Sequence, residues 1–364
     1  MKKKLRSIGF AVVILLWALL AGLAWFGPKQ ATSLWERRPL QQMPDLTTDS
    51  ILGGGFMEKF EDYTLDQFPA RNSFRTLKSL FSYNILQMQD NNGIYIEDGY
   101  AVKIEYPLNS ASLSHAIKKQ NYIYENYLKD TGSRVFMTVI PDKGYYLAQP
   151  NGYPALDYNL LIQRMQTGMP WATYVDITDT LSITDYYRTD THWRQEKITA
   201  AAEKLCHKLE IPVANLTPTL ATNQFYGVYY GQAALPMGAE DLYWMEGEGL
   251  SACRVYNYET RQYGSIYDIQ KLSGADPYET YLSGSQMLLT IENPNATTDR
   301  ELILFRDSFG SSLAPYFAAG YKTVTLVDIR YISTQMLDDY LIFRGQDVLF
   351  AYSTLILNNS STMK

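Results

Sequence analysis

Histidine and cysteine are scarce in this chain, with three of the first and two of the second among 364 residues. No two of the five stand at the short spacing by which zinc ligands are presented, so a zinc site is not expected. Neither is any other metal or a cofactor. Basic runs are missing too: beyond the first six residues no Lys/Arg-rich stretch occurs, and the formal net charge is −6. Binding through a phosphate backbone needs a positive face, so nucleic acid is excluded as a partner. Charged residues make up only 19% of the chain against 46% hydrophobic. That balance excludes a disordered chain and leaves one large domain or two around a real core. No internal repeat or low-complexity segment is evident.

What is present begins with Lys2, Lys3, Lys4 and Arg6, followed by Ile8 to Phe26 without a charged residue. That run is long enough for a helix to cross a bilayer. The positive flank puts the N-terminus in the cytoplasm and everything after residue 30 outside, although Lys29, Arg37 and Arg38 weaken the asymmetry. A cleaved signal peptide competes, with Gly22-Leu23-Ala24 as the small-residue site, but the apolar run exceeds a usual signal core. Both readings export the rest of the chain. The expected organisation is a basic tail and transmembrane signal-anchor over 1–28, a tether over 29–50 rich in Pro, Gln, Thr and Asp, and a folded domain over 51–358. The expectation is a single-pass cell-membrane protein with its domain extracytoplasmic. In an exported protein Cys206 and Cys253 can form one disulfide, which the sequence leaves open. Cys206 shares the apolar face of a helix expected over 194–209 with Ile198, Ala201, Ala202, Leu205 and Leu209, which favours a buried free thiol.

A helical stretch is expected from Phe56 to Arg71, broken at Pro69, and a hairpin over Ile94 to Val102 around Asp98-Gly99. From about residue 110 helical periodicity alternates with short apolar runs, the pattern of βαβ units and a mostly parallel sheet flanked by helices. Candidate strands are Val135 to Ile140, Thr173 to Ile177, Leu302 to Phe305, Thr323 to Val327 and Val348 to Tyr352. A helix over 112–130 turns Leu113, Ile117, Tyr124 and Leu128 to one face and leaves His115 solvated. His207 reads as a surface residue. In open α/β sheets ligands bind beyond the carboxyl ends of the strands. Those ends are Pro141-Asp142-Lys143, Asp176 to Asp179, Arg306 to Gly310 and Asp328-Ile329-Arg330.

The best of them is LILFRDSFGSSLAPYF, residues 302–317, where a strand runs into Asp307-Ser308-Phe309-Gly310 and then a helix. A serine there places its hydroxyl at a helix N-terminus, where the N–H groups of Phe309 and Gly310 can stabilise an oxyanion. Gly310 permits a tight turn. The plain alternative is that Ser and Asp are ordinary helix caps. A serine nucleophile needs a base, and His192 in Thr189-Asp190-Thr191-His192-Trp193 is the natural one. Asp190, two residues earlier, projects to the same side of an extended segment and can orient the ring. Here too alternatives stand: Asp190 can cap a helix beginning near 194, or Asp190 and His192 can hold a divalent metal.

The combination of Thr189 to Trp193 with Phe305 to Gly310 resembles the DHHW / alginate O-acetyltransferase branch of the SGNH hydrolase-like superfamily. Phe68-Pro69-Ala70-Arg71, the Ile94 to Val102 hairpin, Val139 to Lys143 and Val327 to Arg330 agree in character, and the likeness covers roughly residues 50–355. Two departures are plain: Thr191 stands where the DHHW name has histidine, and the superfamily's N-terminal Gly-Asp-Ser block is absent. The resemblance implies an SGNH hydrolase-like α/β fold and an exported enzyme that moves acetyl groups onto or off a polysaccharide. It implies Ser308 as nucleophile, His192 as general base and acid, and Asp190 as the orienting carboxylate. It also implies a multi-pass membrane-bound O-acyltransferase partner as acyl donor. Tyr229 and Tyr230, in the aromatic run 225–232, are candidate platforms for sugar, with Gly227 offering a backbone N–H, though tyrosines also pack core edges. Trp193, Arg306, Asp142 and Arg330 are lesser candidates for substrate contact, each open to a purely structural role. A polysaccharide acetylesterase and a non-catalytic carbohydrate-binding component are the competing functions.

Overall fold

The computed structural model describes residues 2–364. The chain divides into two compact units, one running to Asn92 and taking in Tyr230–Pro236, the other made of Gly93–Tyr229 and Met237–Lys364. The first opens with helix α1 (Lys2–Phe26), in which Ile8–Phe26 is long and apolar enough to cross a membrane. Helices α2 (Thr48–Leu52), α3 (Gly55–Asp66) and α4 (Arg71–Asn84) follow, with Pro69 between the last two as expected. The stretch over 29–50 does not hang as a free tether. It forms a small ladder of β1 (Thr32–Ser33) with β2 (Arg38–Pro39), and Arg38 grips Asp66 at the end of α3 with Nη1 at 2.9 Å and Nη2 at 2.6 Å. A bidentate guanidinium–carboxylate pair fixes both direction and distance, so this segment is part of the unit.

In the second unit β3 (Ile94–Glu97) and β4 (Tyr100–Lys103) form the expected hairpin, with Asp98 and Gly99 both at positive φ as a two-residue turn of this type demands. The central sheet has eight strands: β5 (Val135–Ile140), β6 (Thr173–Tyr174), β9 (Arg254–Asn257), β10 (Gln262–Gly264), β11 (Leu288–Glu292), β12 (Glu301–Arg306), β13 (Thr323–Val327) and β14 (Asp347–Ser353), in the order β10-β9-β11-β13-β12-β14-β5-β6. From β13 to β6 neighbours run parallel, while β11, β9 and β10 extend the sheet antiparallel. A separate hairpin pairs β7 (Thr217–Phe225) with β8 (Glu240–Glu246), and the single turn α8 (Glu248–Ser251) follows it.

Side chains alternate across a strand, and β12 shows what that does here. Leu302 and Leu304 enter one core with α7 (Thr199–Leu209) and α9 (Phe309–Phe317), through Ala202, Leu205, Leu313 and Phe317. Ile303 and Phe305 enter the other with α5 (Ser110–Ile123) and α6 (Tyr158–Gly168), through Leu113, Ile123, Leu161 and Met165. Each such side chain gains about 1.5–3 kcal/mol by leaving water. The result is a three-layer α/β/α unit, the fold class expected. β12 lies between β13 and β14, so residues just past its carboxyl end stand at the middle of that sheet edge.

Local details of the helix from Ser110 differ from expectation, while the buried free thiol of Cys206 and the exposed His207 meet it. The helix from Ser110 passes at Tyr124 into a wider π turn through Leu128, and His115 is half-buried, its Nδ1 3.1 Å from the Ser360 carbonyl, rather than solvated. Both cysteines are free and buried. His207 is exposed.

Candidate active site

Ser308 occupies the single-residue corner between Asp307 and α9, half-buried, with helical dihedrals and no side-chain cap to the helix. Asp307 builds the corner: Oδ1 accepts the Phe309 N–H at 3.0 Å and Oδ2 the Ser353 N–H at 2.7 Å, tying the turn to the end of β14. Gly310 is required by crowding, since a Cβ there would fall 2.5 Å from Arg306 Cβ.

The segment from Tyr186 to Trp193 doubles back on itself, with Tyr187 N–H bonded to His192 O at 3.1 Å. Three groups hold it from outside. Glu240 accepts from Arg188 N–H (2.6 Å), Thr189 N–H (2.8 Å) and the Thr189 hydroxyl (2.6 Å). Lys143, buried, donates from Nζ to Tyr187 O (3.0 Å) and Arg188 O (3.1 Å). Gly227 lets the chain approach so closely that a Cβ would stand 2.3 Å from Asp190 Cα, and the next N–H, of Val228, reaches Asp190 Oδ2 at 2.9 Å.

Asp190, 0% exposed, is thereby aimed at His192: its Oδ1 accepts the His192 N–H at 3.1 Å and lies 2.6 Å from Nδ1. A carboxylate at Nδ1 puts the ring proton there and leaves Nε2 as an acceptor. Nε2 is 2.7 Å from Ser308 Oγ. The imidazole, 7% exposed, lies flat on Tyr278 with centroids 3.9 Å apart and planes 7° off parallel, with Phe309 at 4.9 Å. Serine, histidine and aspartate thus form one hydrogen-bonded line. Ser308 and Asp190 cap no helix, since Ser308 Oγ and Asp190 Oδ1 both meet His192, whereas Asp307 does cap α9 through the Phe309 N–H. Among the described residues no group of three or more potential metal ligands includes Asp190 and His192.

The structure corrects several other expectations. The Phe309 N–H belongs to Asp307 Oδ1, the Gly310 N–H bonds Asp307 O at 3.0 Å, and the Gly227 N–H goes to Thr189 Oγ1 at 2.9 Å, so none of the three is open to an oxyanion. The Ser308 N–H takes no hydrogen-bond partner among the described residues and is the donor left beside the Ser308 hydroxyl. Trp193 is fully buried, its Nε1 donating to Ser312 Oγ at 2.8 Å, and supports the loop from beneath. Arg306 is also fully buried, 3.6 Å from Asp328. Arg330 is bound to Asp328 through Nε (2.9 Å) and Nη2 (2.6 Å). Asp142 is buried and accepts from Thr354 Oγ1, the Gly144 N–H and Tyr158 OH. Burial pushes its carboxyl up, against those three donors. Tyr229 is buried and donates to Thr191 Oγ1 at 3.2 Å, which gives the departure from histidine at 191 a role in bracing the loop. Tyr230 belongs to the N-terminal unit and packs on Trp35 there. Trp193, Arg306, Asp142 and Tyr229 are buried and committed to protein partners, whereas Arg330 and Tyr230 stay half-exposed.

The residues not foreseen are Tyr278, Glu240 and Lys143. Lys143 stood in a strand-end segment already singled out, and a lysine directly after a buried strand was the available signal. Tyr278 and Glu240 carry none, because only the fold brings them to residues 187–192.

The DHHW protein family matches residues 178–327. No curated protein matches the sequence. Among solved structures, a DHHW family protein from Eubacterium siraeum superposes with a TM-score of 0.60 at 23% identity, over 75% of this chain and 95% of that one. Bacillus cereus PatB1, solved with a sulfonyl adduct, gives 0.58 at 18% identity over 72% and 95%. The O-acetyltransferase domain of Pseudomonas putida AlgJ gives 0.44 at 10% identity over 73% and 92%, too loose a likeness to bear on function. The DHHW match thus spans Asp190, His192 and Ser308, and the chain shares the fold of the solved DHHW protein.

Proposed function

We propose that this chain is an exported, membrane-anchored O-acetyltransferase that places acetyl groups on hydroxyls of a polysaccharide through an acyl-enzyme on Ser308. The observation that carries the reading is the line Asp190–His192–Ser308, with its two side-chain contacts of 2.6 and 2.7 Å. The DHHW segment and the apolar helix α1 support it.

In the first half-reaction His192 Nε2 takes the hydroxyl proton as Ser308 Oγ attacks the acetyl carbonyl. The Ser308 N–H faces the oxyanion, and Asp190 stabilises the imidazolium. Collapse breaks the bond to the donor's leaving group, which departs with the proton from His192. In the second, His192 takes a proton from a sugar hydroxyl, the alkoxide attacks the acetyl carbon, and Ser308 leaves with that proton restored. An exported site has no supply of cytoplasmic acyl thioester, so a multi-pass membrane-bound O-acyltransferase handing acetyl outward is the fitting donor.

The test is turnover of an activated acetyl ester by the full chain with and without oligosaccharide acceptors, following acetate and acetylated sugar separately. Ser308→Ala and His192→Ala should each lose on the order of 10³-fold or more. Acetylation that survives both substitutions refutes the triad, and acetate release indifferent to every acceptor makes the enzyme an esterase.

A further inference from the structure

Helix α3 runs beside the end of α1 in a definite register. Trp25 meets Phe60 with ring centroids 6.2 Å apart, and Lys29 Nζ lies 5.2 Å from the centre of the Tyr63 ring. Gln30 and Gln67 exchange two hydrogen bonds, Gln30 N–H to Oε1 at 3.0 Å and Nε2–H to Gln30 O at 2.9 Å. As the chain passes from Trp25 in the last turn of α1 to Gln30, its partner advances from Phe60 on α3 to Gln67 just past its end. The two therefore run parallel. At 1.5 Å per residue, Gly55 sits about 7 Å further back along α1 than Phe60.

That position matters because of what is there. Leu52, at the end of α2, is 82% exposed, and Met57, in the first turn of α3, is 64% exposed. Ile51 is exposed beside Leu52, and Phe56 stacks on Phe60 at 5.6 Å. Glu58, Lys59, Glu61 and Asp62 occupy the opposite side of α3, all exposed, so the helix presents one apolar face and one charged face. Gly54, at φ +77°, makes the reversal between α2 and α3.

We infer that residues 48–60 form a second membrane contact, an apolar tip seated in the interfacial layer of the bilayer alongside α1. The inference rests on the proposal that α1 is a membrane anchor. Lipid is the occupant because the parallel register carries the tip back alongside the span, where acyl chains and headgroups are the neighbours. Asp49, Glu58, Glu61 and Asp62 against Lys59 rule out attraction to anionic headgroups as the driving force. Burial of apolar surface drives the contact, and the polar residues of α2 hold it at interfacial depth.

The test is spin labelling of the full chain in phosphatidylcholine nanodiscs at Leu52→Cys, Met57→Cys, Asp62→Cys and Leu16→Cys. The native thiols are buried and leave the labelling to these sites. Collision with oxygen relative to a water-soluble nickel chelate should be several-fold higher at 16, 52 and 57 than at 62. Should 52 and 57 match 62 while 16 reads lipid, the second contact is wrong and the anchor stands. Labels at 52 and 57 shielded from both agents mean that protein covers the tip, which overturns the lipid contact. An aqueous signal at 16 removes the anchor and this inference with it.

Discussion

Lys143 shows how much a single side chain can be asked to do in this fold. Its amine is pushed down to about 7 by burial, against the pull of Asp190, Glu240 and Asp142. The unfolded amine keeps its ordinary, higher value, so between about pH 7 and 10 the unfolded chain binds more protons and stability rises with pH. Below pH 7 both states are charged and the full cost of the buried cation is present. Urea unfolding of the wild type should therefore gain up to about 1.4 kcal/mol per pH unit across that window relative to Lys143→Met, and a flat difference would refute the assignment. A neutral amine still has two N–H groups for its two carbonyl partners, so the loop should survive the titration. Gly227 makes a sharper case. In Gly227→Ala the new methyl meets the Asp190 backbone, and ester turnover should fall about 100-fold while circular dichroism stays native, since a displacement near 1 Å is enough to spoil a catalytic line. The serine, the histidine and the aspartate were legible because their types and local spacings imply chemistry. Their supports were not. The Glu240 contact to Thr189 spans 51 residues, and no periodicity encodes which carboxylate closes a loop so far away.

At the scale of elements, α9 is the piece that joins the two halves of the site. Its first residues flank Ser308. One turn later Ser312 Oγ takes the Trp193 indole N–H at 2.8 Å, lies 2.9 Å from Tyr278 OH, and donates to Phe309 O at 3.2 Å. One hydroxyl thus fixes the residue beside His192 and the ring beneath it. Ser312→Ala strands a buried indole N–H and should cost about 1–3 kcal/mol in chemical denaturation, with a further loss in kcat because the Tyr278 ring is released. A stability loss with kcat unchanged would mean that Tyr278 does not position the imidazole. The strands around α9 were easy to recognise in the sequence because each is buried on both faces and reads as an unbroken apolar run. The outer two strands of the antiparallel extension were not, because β10 is exposed along its whole length and β9 is only partly covered, so neither carries the apolar signature. The helix expected from 194 is displaced for a similar reason: Gln195–Lys197 forms a 3₁₀ turn in which Gln195 is consumed by buried bonds to Ser312 O and the Met245 N–H, and α7 starts only at Thr199.

Taken whole, the molecule carries 30 tyrosines and many serines, yet on the proposed function it arranges one hydroxyl for attack. Tyr187, Tyr278 and Tyr281 are pushed well above their ordinary range by burial, and so is Tyr229, which leaves the phenols around the site protonated and unreactive. The buried thiols of Cys206 and Cys253 rise to about 12 and about 11 for the same reason. Among the described residues only Ser308 combines partial exposure with an imidazole whose far nitrogen is fixed by a carboxylate. A sulfonyl fluoride, which labels activated serines and accessible phenolates alike, should therefore add once per chain, at Ser308, as read by intact-mass and peptide mass spectrometry. His192→Ala should lose that adduct, because the serine hydroxyl then has no proton acceptor. Tyr278→Leu should keep it at a reduced rate, since the base remains but its ring plane is no longer held. Adducts spread over tyrosines with Ser308 unmodified would show that the line of three side chains does not activate its serine.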